Sequence, residues 1–348
     1  DYNDDDGVLV EPVYYVPIIP MILVNGCSGI GTGWSTEIPC YNPNDIISNI
    51  KNILQLKSYV PMHPFYRKFK GNIIQNGNTN YRTSGKYELL PKDCIHITEL
   101  PLNLWTDKFK EHLETLIIDP KVTNKKLLNK KFIKYYESQC SDDTIDFKIY
   151  YNKNKININK IDTDFTPHIE KILKMHTNIS TTNMVLYDEN ERLVKYNNVE
   201  EILKQFINVR IDYYQRRKDF KIKVLKKDID LLELKIRFIN EFIDGIILIN
   251  NKTKIEIETQ LINNNYPKIN DNYDYLLKMP IYNLTKDKID EFNNILTTKK
   301  NELNLLMKET PTSLWIKDLN ILEEKLKKNI NSPVKKKLKI KKKINEYK

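Results

Sequence analysis

The chain has 348 residues, with 56 Lys and Arg against 46 Asp and Glu, for a formal net charge of +10. That length allows two or more domains and a sizeable core, and the positive balance favours an acidic partner, with nucleic acid ahead of a membrane. No apolar run reaches the roughly eighteen residues that a membrane-spanning helix requires, so no membrane partner is expected.

The opening, Asp1-Tyr-Asn-Asp-Asp-Asp6, carries no secretory signal and reads as the abrupt start of an excised piece. A calcium loop starting at Asp1 would need Gly at its sixth position and Glu at its twelfth. Asp6 and Pro12 stand there instead, so a solvated acidic turn is expected. An apolar, strand-like run from Val16 to Val24 then leads into Asn25-Gly-Cys-Ser-Gly-Ile-Gly-Thr-Gly-Trp-Ser35. Four of the chain's nine glycines, Gly26, Gly29, Gly31 and Gly33, fall in this stretch.

A phosphate-binding P-loop would end in Gly-Lys-Ser or Gly-Lys-Thr, but Trp34 follows Gly33. The dinucleotide fingerprint fails as well, because its third glycine would have to fall at Trp34 or Thr36. What remains is a bare backbone carrying one large side chain, Ile30, between two glycines. Glycine lets another surface approach the main chain closely, and a β-branched side chain is stiff about χ1. Ile30 is therefore expected to be a rigid apolar wedge of the kind that DNA-bending proteins insert between base steps. Spacing alone leaves a tight structural turn open beside a ligand-facing loop.

The words around this stretch, Glu11-Pro-Val-Tyr-Tyr-Val-Pro-Ile-Ile-Pro-Met-Ile-Leu-Val-Asn-Gly26 and Gly29-Ile-Gly-Thr-Gly-Trp-Ser-Thr-Glu-Ile-Pro39, resemble the core of type IIA DNA topoisomerases. Gyrase and topoisomerase IV subunits differ where this chain has Thr32-Gly-Trp34. The resemblance is therefore to the single-chain topoisomerase II of eukaryotes and some of their large DNA viruses. It implies that residues 1–40 are the end of a winged-helix region with the intercalating loop. It also implies that Ile30 bends the duplex, with Gly29, Gly31 and Thr32 at the DNA beside it.

From Tyr41 to about Val199 short β-type runs alternate with helical spacing, which predicts an α+β domain. A helix is expected over Asn44–Leu54, capped at Asn42 or Asn44, and another over Thr106–Ile117. Strands are expected over Phe69–Ile74, Tyr81–Gly85, Lys86–Leu90, Cys94–Pro101 and Thr144–Tyr151. Glu99-Leu-Pro-Leu-Asn-Leu-Trp-Thr106 and Ser180-Thr-Thr-Asn-Met-Val-Leu-Tyr187 resemble words of the family's tower domain, here residues 41–200. The first places Trp105 at a DNA contact; from the residues alone a core tryptophan would be the expectation. His176 stands where many members carry Gln. Lys125, Lys126, Lys130, Lys131 and Lys134, around Phe132, read either as a phosphate-contacting groove or as a solvated helix face. Cys27, Cys40, Cys94 and Cys140 lack zinc-ligand spacing and read as reduced structural thiols.

From about Glu201 the pattern is helical. Ile222, Leu225, Ile229, Leu232, Ile236, Ile239, Ile243 and Ile246 step by three and four, which predicts a coiled-coil arm over 201–246. Ile289, Phe292, Leu296, Leu303 and Leu306, with Lys299 as the polar member, predict a returning antiparallel arm over 285–330. Thr310-Pro311 interrupts it, and Trp315, Leu319, Leu322 and Leu326 resume the spacing. Tyr275-Leu-Leu-Lys-Met-Pro-Ile-Tyr-Asn-Leu-Thr285 and Pro311-Thr-Ser-Leu-Trp-Ile-Lys-Asp-Leu319 resemble the topoisomerase II exit gate, implying a small helical dimerisation domain over 247–284. The lysine-rich tail, 331–348, reads as an import or tethering signal or as a solvated chain end.

The expected fold is thus α+β, a mixed α/β tower followed by a long antiparallel coiled-coil arm with a small helical exit-gate domain. The resemblance implies a nuclear homodimer acting on double-stranded DNA. Its nucleophilic tyrosine, metal-binding and ATPase parts would lie outside this chain, so Mg2+ and ATP would serve the full enzyme and none would be bound here. No catalytic or metal-ligating residue is expected within the chain. A non-enzymatic DNA-binding coiled-coil dimer scaffold is the alternative.

Overall fold

The computed structural model describes residues 2–118, 131–158, 160–161 and 167–331. Lys125, Lys126, Lys130 and the basic tail lie outside the described residues. The chain divides into two compact units, Asp1–Ile207 and Asn208–Lys348.

The first unit opens with a hairpin, β1 (Tyr2–Asp5) paired to β2 (Val8–Pro12), whose acidic turn at Asp6 is exposed to solvent. Asp6 and Gly7 between them both take positive φ, 51° and 84°, as a tight right-twisting hairpin turn requires. The apolar run that reads as a strand contains a short helix, α1 (Met21–Asn25), with Pro20 as its N-cap residue. Continuous apolar runs do not distinguish a buried helix from a strand by periodicity, and Pro20 is what sets the start. After β3 (Cys27–Ile30) and β4 (Ser35–Ile38) comes α2 (Pro43–Leu54). Its cap is Asn42, whose side chain accepts from the Asn44 N–H at 3.0 Å.

Two antiparallel sheets follow. β5 (Asn72–Gln75) and β6 (Asn80–Ser84) pair in sequence, and β11 (His176–Ser180) returns to the other edge of β6. β7 (Lys86–Leu90), β8 (Cys94–Glu99), β9 (Ile133–Ser138) and β10 (Phe147–Tyr151) form the second sheet in the order β7-β8-β10-β9. Alternation along these strands turns Ile95, Ile97, Phe147 and Ile149 toward α3 (Thr106–Leu116) and α4 (His168–Ile172). Phe109 of α3 meets Phe147 edge-on at 5.1 Å. The described part of the Lys125–Lys134 segment is not a helix face. Phe132 is buried, its N–H bonds to the Leu116 carbonyl, and Lys134 lies on β9. A β-branched and aromatic run, Ile133-Lys-Tyr-Tyr136, outweighs the lysine spacing there.

β12 (Met184–Tyr187) and β13 (Leu193–Tyr196) make a further hairpin leading into α5 (Val199–Ile243). The Asn198 side chain caps this helix by accepting from the Glu201 N–H at 2.9 Å, which satisfies one orphan donor of the first turn, and the Glu201 carboxylate accepts from the Asn197 N–H just before the cap. All four cysteines are free thiols.

In the second unit α5 continues to Ile243 and ends where Gly245, at φ 73°, lets the Ile246 N–H reach the Glu241 carbonyl and the Gly245 N–H reach Phe242. That left-handed termination ends the heptad seam early: Ile229 and Ile239 are buried, but Ile243 and Ile246 are exposed. Phe238 and Ile247 instead join Leu261, Tyr266, Tyr273 and Leu276 in a small core, built with α6 (Lys254–Asn263) and α7 (Asp274–Leu277). The chain returns as α8 (Lys286–Lys308), and Lys299 and Lys300 pair with Asp228 and Glu233 at 2.6 and 2.7 Å. With the Lys218 ammonium on the Met307 and Glu309 carbonyls, these pairs set α8 antiparallel to α5. The polar seam position Lys299 thus has a charged partner across the pair.

Pro311 starts a separate helix, α9 (Pro311–Asn331). Its Trp315 is fully buried and stacks on Tyr214 at 5.5 Å. The Tyr214 hydroxyl donates to Asp318, which also accepts from Arg217, both at 2.8 Å. Burial and the Asp318 carboxylate hold the Tyr214 phenol well above its ordinary range, so it stays a donor. Trp315→Ala should lower the unfolding free energy of the second unit by about 3–5 kcal/mol, read from the denaturant midpoint of the helical circular-dichroism signal. A change below about 1 kcal/mol would show that this joint does not hold the helices together.

Candidate nucleic-acid interface

The glycine-rich stretch is a β-hairpin rather than a free loop. Cys27, Ser28, Gly29 and Ile30 of β3 face Ile38, Glu37, Thr36 and Ser35 of β4, and the Gly31 N–H closes the turn on the Trp34 carbonyl at 2.8 Å. Ile30 is therefore the last residue of a strand, not the tip of a loop. The residue is 94% exposed. Thr32, also exposed, sits in the turn beyond it.

The glycines have different reasons to be there. Gly26 ends α1 at φ 66°, and a Cβ on it would stand 2.7 Å from the Ile38 carbonyl oxygen. Gly33 takes φ 88° in the turn. A Cβ on Gly31 would meet the Trp34 ring at 3.0 Å. Gly29 differs from all three: no positive φ requires it, and a Cβ there would meet nothing within 4 Å. The one glycine that the hairpin's own geometry does not demand lies beside Ile30.

The hairpin is fastened at both ends. At its base the Cys40 thiol donates to the Asn25 carbonyl at 3.0 Å, and burial pushes that thiol's pKa up, which keeps the proton in place. Along β4, the Glu37 N–H donates to the Asn183 carbonyl at 2.8 Å. The Asn183 side-chain amide donates to the Ser35 hydroxyl at 2.9 Å, and the Val185 N–H donates to the Thr36 hydroxyl at 3.1 Å. The half-buried Trp34 ring meets Tyr187 edge-on at 6.1 Å. In the β12–β13 turn, Asp188 accepts from the Asn190 and Arg192 N–H groups. Those bonds, from Arg192 above all, hold its carboxyl below the usual carboxylate range.

Gly29, Ile30, Gly31 and Thr32 are thus brought together on one projecting element. Trp105 stands on another, at the N-terminal end of α3, where its carbonyl accepts from the Phe109 N–H at 2.9 Å. It is 76% exposed, so the core reading of this tryptophan fails. Asn183 and Tyr187 were not legible as parts of this site, because nothing local to 25–35 points to a segment some 150 residues on. Among the described residues no group of three or more His, Cys, Asp or Glu is placed to hold a metal ion. Nor, among the described residues, is any helix long and apolar enough to cross a membrane.

Comparison with known proteins bears on the same residues. The family model for the A subunit of DNA gyrase/topoisomerase IV matches residues 1–320. DNA topoisomerase 2 of Plasmodium falciparum is 34% identical over 357 residues, covering 93% of this chain and 25% of that protein. The enzyme of Acanthamoeba polyphaga mimivirus is 33% identical over 383 residues, covering 92% and 30%, and DNA topoisomerase 2-alpha of Gallus gallus is 34% identical over 349, covering 92% and 22%. A crystal structure of the Plasmodium falciparum topoisomerase II DNA-binding, cleavage and re-ligation domain superposes with a TM-score of 0.80 at 34% identity, covering 94% of this chain and 47% of that one. The mixed α/β architecture is consistent with that of a topoisomerase II cleavage core. The chain belongs to the type IIA DNA topoisomerase family, and it spans about a quarter of the length of these curated relatives.

Substitution separates the glycines. Gly26→Ala should destabilise the first unit by more than about 1 kcal/mol, because the left-handed backbone is strained for alanine. Gly29→Ala should leave stability unchanged or raise it by up to about 1 kcal/mol through the unfolded chain. Thermal unfolding of the two variants checks this, and equal losses would mean that Gly29 is a structural glycine after all.

Proposed function

We propose that this chain is the part of an ATP-dependent type II DNA topoisomerase that bends the gate duplex and forms the exit gate for double-strand passage, so relaxing and decatenating DNA. The observation that carries the reading is the exposure of Ile30 on a hairpin fastened along its length.

The energetics bound what a wedge contributes. Bending a site of this size costs roughly 1–6 kcal/mol, and opening a base step costs about a few more. Burying an isoleucine returns about 1.5–3 kcal/mol, and two copies in a dimer return twice that. Two wedges also open two steps, so burial of the isoleucines offsets only part of the cost and phosphate contacts must supply the rest. Gly29, with open space where a Cβ would be, lets the strand lie close against the duplex. Gly31 and Thr32 continue that contact surface. Trp105 supplies a second, aromatic contact, and the net charge of +10 supplies attraction to phosphates.

Strand cleavage belongs, in this reading, to a tyrosine and a divalent-metal site elsewhere in the full enzyme. ATP is hydrolysed in a further domain. This chain bends and supports the duplex that those parts cut, and the enzyme works in the nucleus. The antiparallel pair formed by α5 and α8 acts as a coiled-coil arm, and the small helical domain at its end pairs with its twin as the exit gate. What supports the last point is exposed apolar side chains there: Ile246, Leu248, Ile255, Ile262 and Tyr282 are all exposed.

Ile30→Ala in the full-length enzyme should lower the ratio of bent to straight duplex about tenfold or more, since most of the buried apolar area is lost. Fluorescence transfer between the ends of a short labelled duplex reads this, and an unchanged bent fraction at saturating protein would remove the wedge role. Ile255→Asp should shift the dimer toward monomer in sedimentation equilibrium; a dimer of undiminished strength would mean that this surface is not the gate.

A further inference from the structure

We infer that Asn183 is a positioning residue for the wedge, and that the β12–β13 hairpin is the buttress against which Ile30 pushes. This rests on the reading of Ile30 as the DNA-bending side chain. A side chain that forces base pairs apart meets an equal force in return, and a two-stranded hairpin alone is at best marginally stable in water. Four residue pairs, Cys27 to Ile30 against Ile38 to Ser35, cannot hold an angle under that load without a second body behind them.

The structure provides one. Ser35 is the residue directly across from Ile30, and its hydroxyl accepts from the Asn183 side-chain amide at 2.9 Å. The next two residues of β4 are tied to the same segment, Thr36 through Val185 and Glu37 through the Asn183 main chain. On the other side of Ser35, Trp34 covers Gly31 and meets the Tyr187 ring. Four consecutive residues, Trp34 to Glu37, are thus each held by residues 183–187. No such series is needed merely to close a turn that the Gly31–Trp34 hydrogen bond already closes. The Asn183 amide bonds to the strand opposite the wedge, so it acts through geometry.

The test uses the full-length enzyme and two single variants that break the same bond from opposite sides, Asn183→Ala and Ser35→Ala. Both leave the main-chain bond from Glu37 to Asn183 intact. Each should lower the bent-to-straight ratio of a labelled duplex about two- to tenfold, the effect of one hydrogen bond of ordinary strength, with thermal unfolding and total DNA affinity at low salt little changed. The double variant should lose no more than either single one, and neither should lower bending further in an Ile30→Ala background. If Ile30→Ala reduces bending while Asn183→Ala and Ser35→Ala do not, the buttress is wrong and the wedge stands. Losses that add to that of Ile30→Ala would show that Asn183 acts elsewhere, and would overturn the assignment. An Ile30→Ala enzyme that bends DNA normally would remove the wedge and the buttress together.

Discussion

An isoleucine held in water forgoes the roughly 1.5–3 kcal/mol that burial would return, and the first unit is arranged so that Ile30 has no way to recover it alone. The turn beyond it is closed by the Gly31–Trp34 bond, the strand across from it is tied to residues 183–187, and the base is pinned by Cys40. A softer element would let the side chain fold back onto the nearest apolar surface. Stiffness is therefore the property the local structure provides, and the exposed side chain follows from it. The same constraint bears on the uneven use of glycine: Gly26 and Gly33 are set by backbone angle and Gly31 lies tight against the Trp34 ring, which leaves Gly29 as the position whose missing side chain is open to an approaching surface.

Much of this was legible in residue order, though unevenly. The exposure of Ile30 could be read because a β-branched residue between glycines is unusual whatever the partner. The helix over residues 43–54 and most of the heptad seam could be read because their periodicity is local. The seam's end could not, since Ile243 and Ile246 keep the spacing while the helix stops; only the left-handed geometry at Gly245 redirects the chain. The strand at Ile133–Ser138 was hidden by lysines that draw the eye to a helix face. Trp105 was misleading in the opposite direction, because a tryptophan is usually at least partly buried and nothing local marks this one as exposed. The hydrogen bonds of Asn183 were invisible for a simpler reason: its partners lie about 150 residues away in the chain.

In the second unit the same contest between local pattern and tertiary partner is settled by charge. α8 has no fully buried residue, so apolar area alone holds it weakly against α5. Lys299 and Lys300 on Asp228 and Glu233, and Lys218 on the carbonyls at the end of α8, add directional bonds that fix register. Partly exposed ion pairs contribute little to stability, commonly under about 1 kcal/mol each. Their use is to select one alignment among several of similar energy, as polar seam positions do in paired helices. The Trp315–Tyr214 stack supplies the fixed point that the ion pairs cannot.

Both units thus separate two tasks that a single compact core would merge. The apolar clusters, Ile95 to Met175 in one and Phe238 to Leu276 in the other, supply cohesion and face inward. β3 and α8, by contrast, carry no buried side chain, and their placement depends on hydrogen bonds and ion pairs. Hydrogen bonds are directional and short-ranged, so they hold an angle better than apolar contacts do, and they break cleanly when the geometry changes. For the proposed DNA-bending role that division would be the useful one: cohesion that does not depend on the duplex, and a wedge whose direction is set by a few bonds to Ser35, Thr36 and Glu37.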